Sequence, residues 1–339
     1  MTTTFREARA SGRRDTTRPL LEIKGLKTHF FTQDGVVKAV SGVSFVLNEG
    51  EALGLVGESG CGKSTTVLAL MGLLPPSASV SGEVLLEGRD LLAAGEQTVR
   101  PHRWRDLAMV FQGAMNALNP VQTIQAQLVE PMELHGIARG KAARARAAEL
   151  LEAVGIPAAR AGRYPHELSG GMRQRAAMAM ALACGPKVLL ADEPTTALDV
   201  MVQAQILERL LALTEERGLA LVLVTHDLPV VAQVCERTAV MYAGELVEEG
   251  PIRALYREPR HPYTRLLFAS TPDLHGGRQV ASIAGAPPRL DGELVGCPFQ
   301  PRCDVSFSRC PTERPVLKGV GDDHLAACHR NDLPARSPV

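Results

Sequence analysis

The chain has 339 residues, enough for a large core and, at about 150 residues per domain, for two domains or one large domain with an extension. Lys plus Arg and Asp plus Glu both number 37, so the formal net charge is zero, while 45% of residues are apolar and only 4% are aromatic. These values argue against a nucleic-acid binder built on a broad basic face or stacked aromatics, and against a globally disordered chain.

Residues 1–18 carry Arg6, Arg9, Arg13, Arg14 and Arg18 with no apolar segment behind them, which reads as a flexible tail and not a secretory signal. Val36 to Leu47 and Ala52 to Val56 are apolar and β-branched, bounded by Gly35, Asn48-Glu49-Gly50 and Gly57, and are expected to be strands. A helix is expected over Thr66 to Leu74, and the Ala-, Leu-, Glu- and Arg-rich stretch from about Asn116 to Cys184 reads as helical. Its apolar run Ala176 to Cys184 is the longest in the chain and is closed by Gly185-Pro186-Lys187, well short of the roughly 18 to 20 residues of a membrane span. Membrane association is therefore expected only through a partner. Two further strands, Val188 to Ala191 and Leu219 to Val224, flank a helical pattern over Val200 to Thr214, so βαβ units and a mainly parallel sheet are expected. Beyond about Pro251 prolines, glycines and short segments dominate, most densely from Pro272 to Pro288, which reads as a boundary followed by a small, loop-rich appendage.

Gly57-Glu58-Ser59-Gly60-Cys61-Gly62-Lys63-Ser64-Thr65 satisfies GxxxxGK[ST] between a strand and a helix. Gly57, Gly60 and Gly62 let backbone N–H groups turn inward around phosphates, Lys63 neutralises their charge, and Ser64 offers a hydroxyl to Mg²⁺. Val188 to Ala191 ends in Asp192 and Glu193, at the strand end where a parallel sheet presents its ligand crevice. There Asp192 can hold Mg²⁺ through water and Glu193 can polarise an attacking water, the positioning that phosphoryl transfer needs. Leu168-Ser169-Gly170-Gly171-Met172 precedes a helix with Ser169 as its N-cap, a second place suited to an anion.

With these motifs in order the sequence resembles the ATP-binding subunits of ABC transporters. The resemblance covers about residues 20–250 and implies a P-loop NTPase fold with a RecA-like core, an antiparallel β-subdomain and an inserted helical subdomain over about 114–187, the ATPase domain running 19–260. It implies that Ser169, Gly170 and Gly171 complete a phosphate site on a second ATP-binding subunit, that Gln112 senses Mg²⁺ and the transmembrane partner, that Asp199 lies in the dimer-contact loop, and that His226 is the γ-phosphate switch. Phe30, beside Phe31, matches the aromatic that stacks on adenine. Met172 stands where the family signature has Gln, a departure similar to the peptide-importer branch.

Arg260-His261-Pro262-Tyr263-Thr264 and the stretch from Gly296 through Cys303 extend the resemblance to the oligopeptide/dipeptide importer branch, giving a C-terminal region over 261–335. Cys297, Cys303, Cys310 and Cys328 are separated by five, six and seventeen residues, whereas Cys61, Cys184 and Cys235 are scattered. Four thiolates suit zinc or an iron–sulfur cluster, and the CxxC hairpins favoured by zinc ribbons are missing. The branch resemblance implies a [4Fe–4S] cluster, with zinc and free thiols as alternatives; His324 and His329 beside Cys328 read as surface groups.

The implied activity is ATP hydrolysis, with Mg²⁺, driving di- or oligopeptide import at the cytoplasmic face of the cell membrane. The implied partners are two transmembrane permeases, touched near Ala114 to Pro120, a second ATP-binding subunit in a homo- or heterodimer, and a periplasmic or lipid-anchored substrate-binding protein acting through the permeases. Relatives of this branch also carry nickel, opines or glutathione. A soluble ABC-type ATPase acting on nucleic acid or ribosomes is the competing class, disfavoured by the single phosphate loop and the zero net charge. A regulatory role for the cysteine module could coexist with transport.

Overall fold

A computed structural model describes residues 19–113, 117–195, 200–270 and 282–333. Within them the chain forms an antiparallel four-stranded sheet and a larger eight-stranded sheet. The first contains β1 (Leu21–Thr32), β2 (Gly35–Leu47), β4 (Ala78–Leu86) and β5 (Arg89–Asp90), in the order β2-β1-β4-β5. The second contains β3 (Ala52–Val56), β6 (Leu107–Val110), β7 (Val188–Asp192), β8 (Ala220–Val224), β9 (Arg237–Tyr242), β10 (Glu245–Pro251), β11 (Lys318–Gly321) and β12 (His324–Ala326). Its order is β11-β12-β10-β9-β3-β8-β7-β6, parallel from β9 to β6 and antiparallel from β9 outward.

Every residue of β3, β7 and β8 is buried, the mark of parallel strands covered on both faces. Their side chains alternate between two cores, as the period of two requires. Leu53, Leu55, Val188, Leu190 and Val222 pack toward the antiparallel sheet and α1 (Lys63–Leu70). Ala52, Val56, Leu189, Ala191, Leu221 and Leu223 pack on the other side. That side is made by α3 (Ile124–Leu134), α4 (Gly140–Ala153), α5 (Gly170–Ala181), α6 (Val200–Arg217) and α7 (Leu228–Val234), with α8 (Ile252–Arg257) and α9 (Pro262–Ala269). The short α2 (Glu96–Val99) lies between the sheets in sequence. No helix among the described residues is long and apolar enough to cross a membrane.

Two details differ from the sequence expectation. The helix expected from Thr66 begins at Lys63, because Gly62 adopts a left-handed conformation (φ 103°) that turns the loop straight into the first helical turn. It ends at Leu70, before Gly72 (φ 60°), and so does not reach Leu74. His324 and His329, expected at the surface, are 6% and 5% exposed. For His324 the reason is topological: β12 pairs antiparallel with β10, Glu248 opposite Ala326, so this part of the extension continues the main sheet instead of lying on it. His329, past the strand, lies against the Glu313 carbonyl and lines the cavity at the cysteines.

Candidate functional site

The sequence-predicted residues gather at the C-terminal ends of adjacent strands. Gln112 follows β6, Asp192 and Glu193 end β7, His226 follows β8 and the glycine-rich loop follows β3, which is the crevice where parallel sheets place ligands.

The loop's geometry demands glycine at two positions. A Cβ on Gly57 would stand 2.2 Å from the Met241 carbonyl oxygen, and one on Gly62 would stand 2.4 Å from that of Ala39. Gly60 is also left-handed (φ 79°), and Thr65 is half-buried in the first turn of α1. The Lys63 ammonium, 6% exposed, donates to the carbonyls of Gly57 (2.8 Å) and Glu58 (2.9 Å), which pins its charge inside the loop. No side chain caps the N-terminus of α1 and no acidic residue lies in its first turn, so its backbone N–H groups and dipole favour an anion there.

Ser64 Oγ donates to Asp192 Oδ1 at 3.0 Å, joining the loop to β7. Burial pushes the Asp192 carboxyl up from its ordinary range, and the neighbouring Glu193 adds to this, while the Ser64 hydrogen bond and Lys63 pull the other way. A divalent cation beside such a carboxylate offsets that burial cost, so Ser64 and Asp192 fit Mg²⁺ by donor chemistry.

Glu193 takes a left-handed backbone (φ 43°), an unfavourable conformation for a residue with a Cβ, held by its N–H donating to the Val224 carbonyl at 2.8 Å. The turn aims its carboxylate at two neighbours. Gln112 Nε2 donates to Oε2 at 2.9 Å, and His226 Nδ1 lies 3.0 Å from Oε1. Glu193 is thus bracketed by groups from β6 and β8, with His226 largely exposed to the crevice.

Ser169 caps α5, its Oγ accepting the Met172 N–H at 3.3 Å. Gly170 and Gly171 form the first turn, and a Cβ on Gly171 would stand 2.9 Å from Val202. The link of this turn to the site is Gln174, whose Nε2 donates to the Pro194 carbonyl next to Glu193. Phe30 sits on β1 opposite Val37 and Ala78, half-buried, and Phe31 beside it is 58% exposed. Asp199 and residues 114–116 lie outside the described residues.

Cys297, Cys303, Cys310 and Cys328 line one small cavity together with His261 and Phe299. None of these four cysteines is in a disulfide. Burial pushes Cys297 up to about 11 and also raises Cys303 and Cys328. Four converging sulfur donors suit an iron–sulfur cluster or zinc by chemistry. Among the described residues, as placed, no three His, Cys, Asp or Glu side chains stand in an arrangement that would hold a metal ion.

Sequence reasoning missed how the extension grips the cassette. His261 caps α9, its Nδ1 accepting the Tyr263 N–H at 3.1 Å, and its own N–H donates to Glu248 Oε2 at 2.9 Å. Glu248 is fully buried and also accepts from the Arg260 N–H (2.6 Å), with His324 Nε2 2.7 Å away. Tyr263 Oη accepts the Glu58 N–H at 2.8 Å, and the Arg302 guanidinium meets the Glu58 carboxylate. The sequence signals for these contacts were the HPYT run and an arginine adjacent to Cys303, but neither names a partner 205 or 244 residues away.

A glycine-rich phosphate loop behind a buried parallel strand, facing an acidic strand end, defines the class: a P-loop nucleoside triphosphatase. Within it, the ABC transporter family model matches residues 40–196, and the model for the oligopeptide/dipeptide transporter C-terminal region matches residues 247–310. A probable peptide ABC transporter ATP-binding protein of Sinorhizobium fredii is 47% identical, over 92% of this chain and 95% of its own length. The dipeptide transport ATP-binding protein DppD of Bacillus subtilis is 45% identical, over 94% of this chain and 97% of its own. The dimeric ATP-binding cassette MJ0796, in a post-hydrolysis state bound to ADP and Pi, superposes with a TM-score of 0.61 at 31% identity, covering 69% of this chain and 99% of that one. The chain belongs to the ABC transporter ATP-binding protein family.

Proposed function

We propose that this chain is the ATP-hydrolysing subunit of an importer for di- or oligopeptides, working at the cytoplasmic face of the membrane with two permeases, a second ATP-binding subunit and a substrate-binding protein reached through the permeases. The observation that carries the hydrolytic part is the Glu193 carboxylate, set between Gln112 and His226 one residue beyond the Ser64–Asp192 pair. Peptide as the cargo is supported by the C-terminal match and by the names of the relatives.

In this reading Gly57, Gly60, Gly62, Lys63 and Thr65 surround the phosphates, and Ser64, Asp192 and Gln112 hold Mg²⁺, which neutralises charge on the transferred group. Glu193 orients and deprotonates the attacking water, and His226 contacts the γ-phosphate. Ser169, Gly170 and Gly171 present the N-terminus of α5 to nucleotide held by the second subunit, Asp199 contributes to that dimer contact, and Phe30 stacks on the adenine. Affinity purification from membranes tests the assignment: two permeases and a second ATP-binding chain are expected to copurify, and ATP-dependent peptide uptake by the reconstituted complex is the functional readout. Recovery with ribosomes or nucleic acid instead would sink it.

For the cavity, a [4Fe–4S] cluster on Cys297, Cys303, Cys310 and Cys328 is the reading that four thiols around one space support best, with zinc as the alternative occupant. Iron and acid-labile sulfide are expected after anaerobic purification; zinc alone, or no metal, overturns the cluster.

A further inference from the structure

Glu58 occupies a variable position of the phosphate loop, yet every polar group it owns is engaged. Its carbonyl accepts from Lys63, its N–H donates to Tyr263 Oη, and both carboxylate oxygens accept from Arg302, Oε2 from Nη1 at 2.6 Å and Oε1 from Nη2 at 3.0 Å. Such a two-pronged pair fixes direction as well as distance, which a single charge contact does not. The Arg302 side chain is only 4% exposed. It lies within about cation–π range of Tyr242 and Phe299, 5.8 and 6.0 Å from their ring centres. Its remaining donors reach the carbonyls of Ala284 (2.9 Å) and Ile283 (3.3 Å) and the Tyr242 hydroxyl (3.3 Å). A guanidinium with this many partners has one place to be.

Arg302 is also tied to the cysteines. It ends a short turn, Gln300–Arg302, whose first N–H donates to the Cys297 carbonyl (3.0 Å) and whose Gln300 carbonyl accepts the Cys303 N–H (3.2 Å). Cys297 in turn donates its N–H to the Cys310 carbonyl at 2.8 Å. A change in the spacing of these thiols therefore moves the backbone that carries Arg302.

We propose that Arg302 is a positioning residue for ATP binding: from the C-terminal extension it holds Glu58, and through Glu58 the Lys63 end of the phosphate loop, so that nucleotide affinity responds to the state of the cysteine cavity. The proposal rests on the loop binding ATP. Because Arg302 stands outside the crevice, it acts on affinity and leaves the Glu193 chemistry alone.

The test is equilibrium binding of trinitrophenyl-ATP to the full chain, alongside steady-state ATP hydrolysis. Arg302→Gln and Glu58→Gln are each expected to weaken binding and raise KM by about tenfold with kcat within about twofold, and the double variant is expected to be no weaker than either single one. Glu58→Gln leaves the extension's own packing intact, so it keeps the test open if Arg302→Gln fails to fold. Arg265→Gln, which removes an exposed pair with Asp304 elsewhere in the extension, is expected to bind like the parent chain. Cys310→Ser is expected to weaken binding in the parent and to have no further effect in Arg302→Gln. Full additivity of the two Gln variants, parent-like binding by both, or an equal Cys310→Ser effect in both backgrounds would overturn the proposal. No binding by the parent chain itself would overturn the nucleotide-site reading along with it.

Discussion

The nucleotide crevice and the C-terminal extension solve the problem of placing polar groups in opposite ways. In the crevice, each functional side chain sits within a few residues of a strand end, so the parallel sheet alone brings Gln112, Asp192, Glu193 and His226 together, and all of these but the buried Asp192 stay partly open to solvent. In the extension, little regular structure exists to aim anything. Its order comes from a sealed cluster in which Phe299, 1% exposed, meets Tyr242, Tyr263 and His261, and from the buried carboxyl of Glu248, which meets the backbone N–H groups of Arg260 and His261 and the His324 ring. A crevice built on strand ends tolerates exchange of its chemistry without losing shape; a loop-built module loses shape with its packing.

That contrast is sharpest at Glu193. Its replacement by Gln preserves size and the hydrogen bond from Gln112 while removing the proposed base, so ATP hydrolysis is expected to fall by about 10² to 10⁴. Thermal stability is expected to stay near the parent value, and size-exclusion chromatography with ATP is expected to show a trapped dimer. Unchanged turnover would reject Glu193 as the base.

The converse variant is Phe299→Ala, in the aromatic cluster of the extension. Removing this buried ring is expected to cost about 3 to 5 kcal/mol in denaturant unfolding. Limited proteolysis should then cut first within 282–333. If stability drops by less than about 1 kcal/mol, the aromatic cluster does not hold the extension.

A smaller effect separates the two regions by pH. Burial pushes His261 down to about 3 from 6.5, so the folded state disfavours its protonated form. The unfolded chain then binds the extra proton: the contribution is silent above about pH 6.5 and destabilises progressively below it, by about 2 kcal/mol at pH 5. His261→Asn is expected to flatten the stability slope between pH 7 and 5 relative to the parent, whatever its stability at pH 7; an unchanged slope would remove His261 as the source.

The same contrast explains what the sequence disclosed. The phosphate loop, the Asp192-Glu193 pair and His226 each stand against a short apolar run, and the strand period and the loop spacing are local properties that one chain displays without knowledge of its fold. The α/β architecture was legible for the same reason, since β3, β8 and the first four residues of β7 are unbroken apolar segments. What stayed hidden was long-range pairing. Nothing in Glu58 announces Arg302, nothing in the short run at His324 announces a strand on β10, and the burial of His324 follows from that pairing. The start of α1 at Lys63 is hidden in the sequence because Gly62 looks like a loop residue and acts as the hinge into the helix.

The position of β12 and β11 at the margin of the large sheet has a bearing on truncation. Without residues 318–326, the middle of β10, at Glu248 and Glu249, would lose its partner strand and lie at the edge of the sheet. The extension thus works as a terminator for β-pairing: it finishes the sheet with two short strands, the outer one carrying Lys318 and two glycines, which make a poor template for a further strand.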